Sequence, residues 1–100
     1  MKTITLQIGN SDDKLSQRDW SYFVNEIDHY LNVTMTRYTT IHFSGSSHSY
    51  APWQNHCWVF EVVEDDQLVI DGIKNQISRL SKEKYYQDSI AWTEGVTEFV

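Results

Sequence analysis

The sequence predicts a single α+β domain over residues 1–100. We expect a ferredoxin-like β-α-β-β-α-β sandwich, in which two helices cover one face of a four-stranded antiparallel sheet. Segments that alternate polar and apolar residues are typical of strands, and they surround two segments with apolar residues every three or four positions, which is typical of helices. A length of 100 residues with 40% apolar residues suits one hydrophobic core.

The first half of the chain predicts a strand, a helix and a connector. The strand covers residues 3–8, where every second residue is apolar. Ser16, with Asp19 three positions later, has the pattern of a variant capping box and predicts a helix that begins there. Five apolar residues at helical spacing form its buried face: Trp20, Phe23, Val24, Ile27 and Leu31. Residues 32–36 are then a connector.

The middle of the chain predicts two strands joined by a polar loop. Residues 38–44 are rich in β-branched and aromatic side chains and form a strand that Gly45 ends, with Ile41 and Phe43 facing inward. The loop covers residues 46–55. The next strand, residues 56–63, has apolar side chains on both faces, which indicates a central position in the sheet.

The last third predicts a helix and a final strand. The acidic run at residues 64–66 supplies acceptors for a helix N-terminus. The helix runs to about residue 84, and its buried stripe consists of Val69, Ile73, Ile77 and Leu80. Residues 89–100 form the fourth strand, in which Gly95 marks a bulge or a turn.

In this topology three polar loops meet at one end of the sheet. The loop between the second and third strands is longer than a hairpin needs, and such loops are often functional. We therefore predict a ligand-binding site there, made of Asn10, Ser11, Ser46, Ser47, His48, Tyr50, Trp53, Gln54, Asn55, Tyr86 and Gln87. Aromatic rings would stack on a planar group, while hydroxyls and amides would form hydrogen bonds. The alternative is ordinary turns, with Trp53 as a plug at the end of the core.

The sheet face away from the helices is a second candidate surface. The sequence places Thr5, Gln7 and His42 there, together with whichever of Trp58, Phe60 and Trp92 point outward. An aromatic face needs a cover, and a second copy of the chain would supply one, so we predict a homodimer. The RNA-recognition version of this fold stacks bases on this face, but the aromatic and basic motifs of that version are absent here.

The charge balance argues against nucleic acid as a partner. The formal net charge is −6, and the eight Lys and Arg residues are scattered along the sequence. A protein that binds the phosphate backbone needs clustered positive charge. A protein that mimics DNA would need more negative charge than this chain has, arranged in a regular pattern, so the sequence gives little support to a DNA mimic.

The sequence predicts no catalytic residue, metal or cofactor. The histidines 42, 48 and 56 lack the spacing of a zinc site. His48 could act as a general base oriented by Asp12, Asp13 or Asp88, although exposed loop residues of these types are usually only solvated. Cys57 at the start of a central strand is more typical of a buried thiol than of a nucleophile.

Cellular location and function follow from these exclusions. No apolar run is long enough to span a bilayer or to form a signal peptide, and one cysteine fits a reducing compartment, so we predict a cytoplasmic protein without membrane contact. We predict a non-enzymatic binding protein that captures a small polar or nucleotide-like ligand, or a partner protein, as phage-type inhibitors and sequestering proteins do. The alternative is a small dimeric α+β-barrel enzyme whose site, between the helices and the open sheet face, is lined by His42, Trp58 and Trp92.

Overall fold

The chain forms four strands and two α-helices in the order strand, helix, strand, strand, helix, strand. The computed structural model describes residues 1–10, 12, 14–48 and 54–100. The elements are β1 (Lys2–Gly9), α1 (Gln17–His29), β2 (Thr39–Ser46), β3 (Asn55–Val62), α2 (Gln67–Tyr85) and β4 (Ala91–Val96). A π-helical turn, Tyr30–Thr34, extends α1, and a 3-10 turn, Val63–Asp65, precedes α2.

The strands form one antiparallel sheet in the order β2-β3-β1-β4. The two central strands, β1 and β3, pair from Ile4 opposite Phe60 to Gly9 opposite Asn55. The predicted α+β class, with a four-stranded antiparallel sheet and two helices, is confirmed. In the described part of the chain, no helix combines the length and apolar composition that crossing a bilayer requires.

The core lies between one face of the sheet and both helices. Alternate residues of the central strands are buried on this face, namely Ile4, Leu6, Ile8, Trp58, Phe60 and Val62. The helices contribute Trp20, Phe23, Ile27, Ile70, Ile73, Ile77 and Tyr85 to the same cluster. Burying one such side chain stabilises the fold by roughly 1.5–3 kcal/mol, so this layer holds helices and sheet together.

Trp58, Phe60 and Trp92, whose orientation the sequence left open, all lie on the helix side of the sheet. Trp58 and Phe60 are fully buried on the helix side, and Trp92 packs edge-on against Phe60, with ring centroids 6.0 Å apart. Strand pairing sets which face these side chains occupy. Leu6 lies opposite both Trp58 and Trp92 and is itself in the core, so all three point to the same side of the sheet. The aromatic argument for a homodimer therefore no longer stands.

Both α-helices begin at side-chain caps. The Ser16 hydroxyl accepts a hydrogen bond from the Asp19 backbone N–H at 3.1 Å, which confirms the predicted start of α1. At α2 the carboxylate of Asp66 accepts from the backbone N–H groups of Leu68 and Val69. Each cap satisfies N–H groups that the helix itself leaves without a partner.

Three predicted boundaries differ from the structure. The connector predicted at residues 32–36 begins inside the π-helical turn. Gly45 lies within β2 rather than ending it, and β4 ends at Val96, with Gly95 paired to Thr3 in regular register. Tertiary pairing overrides the turn preference of an isolated glycine in both strands.

The irregularity in the sheet lies in β2, at His42. Ile41 pairs with Phe60 and Phe43 pairs with Val59, so His42 is an extra residue, as in a β-bulge. The bulge reverses the alternation of side chains that follows it. Ile41 faces the helices as predicted, but Phe43 lies on the open face with 57% of its surface exposed, so its predicted inward orientation is wrong.

Candidate functional site

The described parts of the three predicted loops meet at one end of the sheet. Gly9 at the end of β1 pairs with Asn55 at the start of β3. Ala91 at the start of β4 pairs with Gln7. The predicted site residues Ser11, Tyr50 and Trp53 lie outside the described residues, as do Asp13 and Pro52.

Asn10 ties two of these loops together, the loop after β1 and the loop before β3. Its side-chain Nδ2 donates to the Leu15 carbonyl at 3.0 Å and to Gln54 Oε1 at 2.9 Å, while its Oδ1 accepts from the Leu15 N–H. Its backbone N–H donates to the Gln54 carbonyl at 2.8 Å. Only 1% of Asn10 is exposed. Asn10 therefore closes the loops and has no surface for a ligand, which corrects its predicted role.

Gln87 also has structural partners. Its backbone N–H donates to the Ser81 carbonyl and its Nε2 donates to the Tyr85 carbonyl, so it caps the end of α2. Beside it, a cavity of about 200 Å³ is lined by Gly9, Asp12, Gln87, Asp88 and Ser89.

The cation at this end of the sheet is already paired. Lys14 Nζ lies 2.9 Å from Asp88 Oδ2 and 3.6 Å from Asp12 Oδ2. The hydrogen bond that Lys14 donates to Asp88 is the main reason that the pKa of Lys14 is raised. The Lys14 ammonium is thus committed to two carboxylates and is poorly placed to hold an anionic ligand.

A larger cavity, about 280 Å³, lies where the open face meets the loop end. We call it the corner cavity; it is lined by Gln7, Phe43, Gly45, Ser46, Ser47, Asn55, His56 and Cys57. The ring of Phe43 lies across Gly45, where a Cβ atom would come within 2.9 Å of Phe43 Cζ. The missing side chain at position 45 therefore leaves room for the aromatic ring.

The corner cavity contains three of the predicted site residues, Ser46, Ser47 and Asn55. His48 is exposed beyond it and Gln54 is held by Gln17 and Asn10. Sequence reasoning missed Phe43 because it predicted that ring to be in the core. The available signal was Gly45 two positions later, since residues two apart in a strand share a face.

Two residues of the cavity lining, Ser46 and His56, form a hydroxyl–imidazole pair. Ser46 Oγ lies 2.7 Å from His56 Nδ1, and the His56 ring packs on Trp58, with centroids 4.4 Å apart. Burial lowers the pKa of His56, and Asp28 acts weakly in the opposite direction. Asp28 accepts a hydrogen bond from Trp58 Nε1 at 3.1 Å, so it is engaged elsewhere than in a catalytic triad.

The other reactive groups do not assemble into a centre. Burial raises the pKa of the half-buried Cys57 thiol, which makes it a weak nucleophile. His42 lies 3.6 Å from Glu61 on the open face. Within residues 1–10, 12, 14–48 and 54–100, no group of three or more His, Cys, Asp or Glu side chains is placed to hold a metal ion.

Tyr86 lies at a different site from the one predicted for it. It borders a cavity of about 620 Å³ between α1 and the end of α2. We call this cavity the helix groove; its lining residues are Leu15, Asp19, Tyr22, Asn25, Glu26, His29, Lys84, Tyr85 and Tyr86.

Comparisons with known proteins identify no relative. No protein-family model matches the chain, and neither the curated proteins nor the solved structures contain a match to it.

Proposed function

We propose that the chain is a non-enzymatic binding protein that captures a small, planar, polar ligand in the corner cavity. One observation carries the proposal: Phe43 is 57% exposed, its ring lies over Gly45, and it lines the same cavity as Gln7. An exposed ring of this kind stacks on a base with about 1–3 kcal/mol. The amide of Gln7 both donates and accepts hydrogen bonds, so it can read the edge of a heterocycle.

The charges near the cavity favour a nucleobase or a nucleoside over a nucleotide with several phosphates. The described lining includes no Lys or Arg. Lys14 is paired with two carboxylates, and the formal net charge of the chain is −6. Each phosphate would therefore enter a negative field without a counter-charge.

Titration with adenosine, guanosine, cytidine and uridine tests this function. We expect chemical-shift changes at the Gln7 side-chain amide and the Phe43 ring in NMR spectra, with at least one nucleoside bound at millimolar concentration or below. Phe43→Leu should weaken that binding about fivefold or more, because leucine offers no π-face. Phe99→Leu, the same change at a phenylalanine that is 82% exposed and does not line the cavity, is the matched control.

Two outcomes would count against the proposal. One is the absence of shifts at Gln7 and Phe43 with all four nucleosides. The other is an equal loss of affinity in Phe43→Leu and Phe99→Leu, since this would indicate nonspecific contact.

The remaining parts of the function stay predictions. A partner protein instead of a small ligand, inhibition of a host factor, a cytoplasmic location and a homodimer are compatible with a small acidic chain. The homodimer has lost its main argument, because Trp58, Phe60 and Trp92 pack under the helices. The dimeric enzyme also has less support. Its predicted site faces the open side of the sheet, whereas two of its three predicted lining residues, Trp58 and Trp92, pack on the helix side.

We also propose that the connections are those of a ferredoxin-like sandwich. Support comes from the strand order β2-β3-β1-β4, in which each helix links two strands that are separated by one antiparallel neighbour. In the split βαβ arrangement both crossovers are right-handed. An experimental structure with a left-handed crossover at α1 or α2 would rule this out.

A further inference from the structure

The helix groove continues beyond its widest part. A second cavity of about 180 Å³ lies between α1 and the middle of α2, and it shares Glu26 and His29 with the groove. The two cavities therefore form one surface channel along the helices, on the opposite side of the molecule from the open sheet face. A channel of this kind accepts an extended segment more readily than a compact small molecule.

Three tyrosines give the groove an aromatic wall. Tyr85 is buried at its floor and stacks on Phe23, with ring centroids 4.5 Å apart. Tyr22 and Tyr86 are exposed by 53% and 72%. Tyrosine is enriched in protein interfaces, because its ring packs while its hydroxyl stays hydrated.

The backbone of Tyr86 has a conformation that is unusual for a residue with a large side chain. It follows α2 with φ 56° and ψ 30°, in the left-handed region that glycine occupies at most helix ends of this kind. Glu64 and Asp65, outside the groove, also have a positive φ, so the strain at Tyr86 bears on function only because its ring borders the groove. The strain holds an aromatic ring at the edge of the groove, where glycine would make the fold more stable.

The groove also has unused carboxylate oxygens. Glu26 Oε1 accepts from Lys84 Nζ at 2.7 Å and from the Tyr85 hydroxyl at 2.8 Å. Among the described residues, none donates a hydrogen bond to Glu26 Oε2 or to the carboxylate of Asp19. The lining therefore contains two acidic side chains, Asp19 and Glu26, and only one ammonium group, that of Lys84. His29 lies in the same lining.

The groove already binds one cation in this manner. Lys84 Nζ lies 5.7 Å from the centre of the Tyr85 ring while it contacts Glu26, and the Arg18 guanidinium lies 5.6 Å from the centre of the Tyr22 ring. The chemistry of the wall thus suits cationic groups that rest on aromatic rings.

We propose that the helix groove docks a basic segment of a partner protein, and that an arginine side chain of this segment reaches the carboxylates of Asp19 and Glu26. A guanidinium fits better than an ammonium, because it donates to two acceptors at once and stacks on tyrosine. The charge of the whole chain, −6, favours the approach of a basic partner. This site is separate from the corner cavity, so either proposal can fail without the other.

A short peptide serves as the probe. Fluorescein-labelled Gly-Arg-Gly-Arg-Gly amide is titrated at physiological salt and followed by anisotropy, with the same peptide carrying lysine or glutamate as comparisons. We expect the affinity order arginine, lysine, glutamate. Asp19→Asn should weaken arginine binding about twofold to fivefold, which is the size of one partly exposed ion pair.

Tyr86→Gly separates a binding role from a structural one. We expect it to raise the melting temperature, because glycine relieves the strained backbone, and to weaken peptide binding about threefold or more. Weaker binding by a more stable protein cannot come from loss of folding. A lower melting temperature, or unchanged binding, would overturn the argument from Tyr86.

Glu64→Gln is the matched control for charge. Glu64 is exposed, follows β3, does not line the groove and, like Asp19, carries one negative charge. If Glu64→Gln weakens binding as much as Asp19→Asn does, the attraction is nonspecific and the proposal is wrong. Sedimentation that shows a dimer, together with protection of Tyr22 and Tyr86 in that dimer, would assign the groove to a second copy and would also overturn it.

Discussion

Tyr85 and Glu26 are 59 positions apart in the sequence and are joined by one hydrogen bond, in which the Tyr85 hydroxyl donates to Glu26 Oε1 at 2.8 Å. The bond links the end of α2 to the middle of α1. Burial raises the pKa of the Tyr85 hydroxyl, and the bond to Glu26 raises it further. The neutral tyrosine is therefore the form that the folded state prefers.

Tyr85→Phe should reduce the sensitivity of the fold to alkaline pH. Because the pKa of Tyr85 is higher in the folded state than in the unfolded state, its contribution is complete below about pH 10 and is lost as pH rises above that value. Urea unfolding between pH 8.5 and 11 measures the effect. The native chain should lose stability over this range more steeply than Tyr85→Phe. Equal slopes would contradict the assignment, and Tyr22→Phe, at an exposed ring, is the control.

Asn10→Ala should cost about 2 kcal/mol or more of unfolding free energy, because it leaves the buried N–H and carbonyl of Leu15 without their partner. Denaturant titration followed by tryptophan fluorescence measures it. Asn75→Ala changes the same residue type on an exposed position of α2 and should be neutral or slightly stabilising. A loss below about 0.5 kcal/mol for Asn10→Ala would mean that the loops close without this clamp.

His56→Gln should flatten the stability profile on the acid side of neutrality. Burial lowers the pKa of His56 in the folded state, so the contribution of its neutral form is complete above its ordinary value of 6.5 and is lost as pH falls below it. Urea midpoints at pH 7.5 and pH 5.5 give the comparison. We expect a smaller decrease for His56→Gln than for the native chain, while His29→Gln, an exposed histidine, should behave like the native chain.

Gly45→Ala should weaken nucleoside binding about threefold or more at little cost in stability. The new Cβ would lie 2.9 Å from Phe43 Cζ, so the ring must move off position 45. The change in unfolding free energy should stay within about 1 kcal/mol, because Phe43 is already exposed. Gly95→Ala is the control, since a Cβ there meets no atom within 4 Å. Unchanged affinity in Gly45→Ala would separate Phe43 from the ligand.

The sequence predicts best those elements whose apolar residues recur at a single regular spacing. Every second residue of β1 is apolar, and Ile4, Leu6 and Ile8 are all buried. Ser16 directly precedes a segment with helical spacing of apolar residues, which is the usual position of an N-cap, and its hydroxyl caps α1 as expected. In these places, local preference and tertiary packing agree.

The errors have specific physical causes. β3 has apolar residues on both faces, so its sequence does not decide which face Trp58 takes, and only pairing with β1 does. The bulge at His42 leaves no mark in a run of β-branched and aromatic residues, yet it reverses the orientation of Phe43. Tyr86 follows the last residue of α2 directly, so the last turn of the helix, and not the loop, sets where its ring lies. The buried residues of α2 include Ser81 and, four positions later, Tyr85, so both lie on one face of the helix. This spacing could have located the groove.

The bulge at His42 has a further consequence for how the protein behaves in concentrated solution. β2 is an edge strand, and its outer row of N–H and C=O groups could pair with another chain and begin a fibril. An extra residue breaks the even spacing of those groups and twists the strand, so a second chain cannot extend the sheet in register. Deleting His42 would keep Phe43 on the open face but make the edge regular. Light scattering during incubation at 37 °C should then show earlier aggregation for the deletion variant than for the native chain.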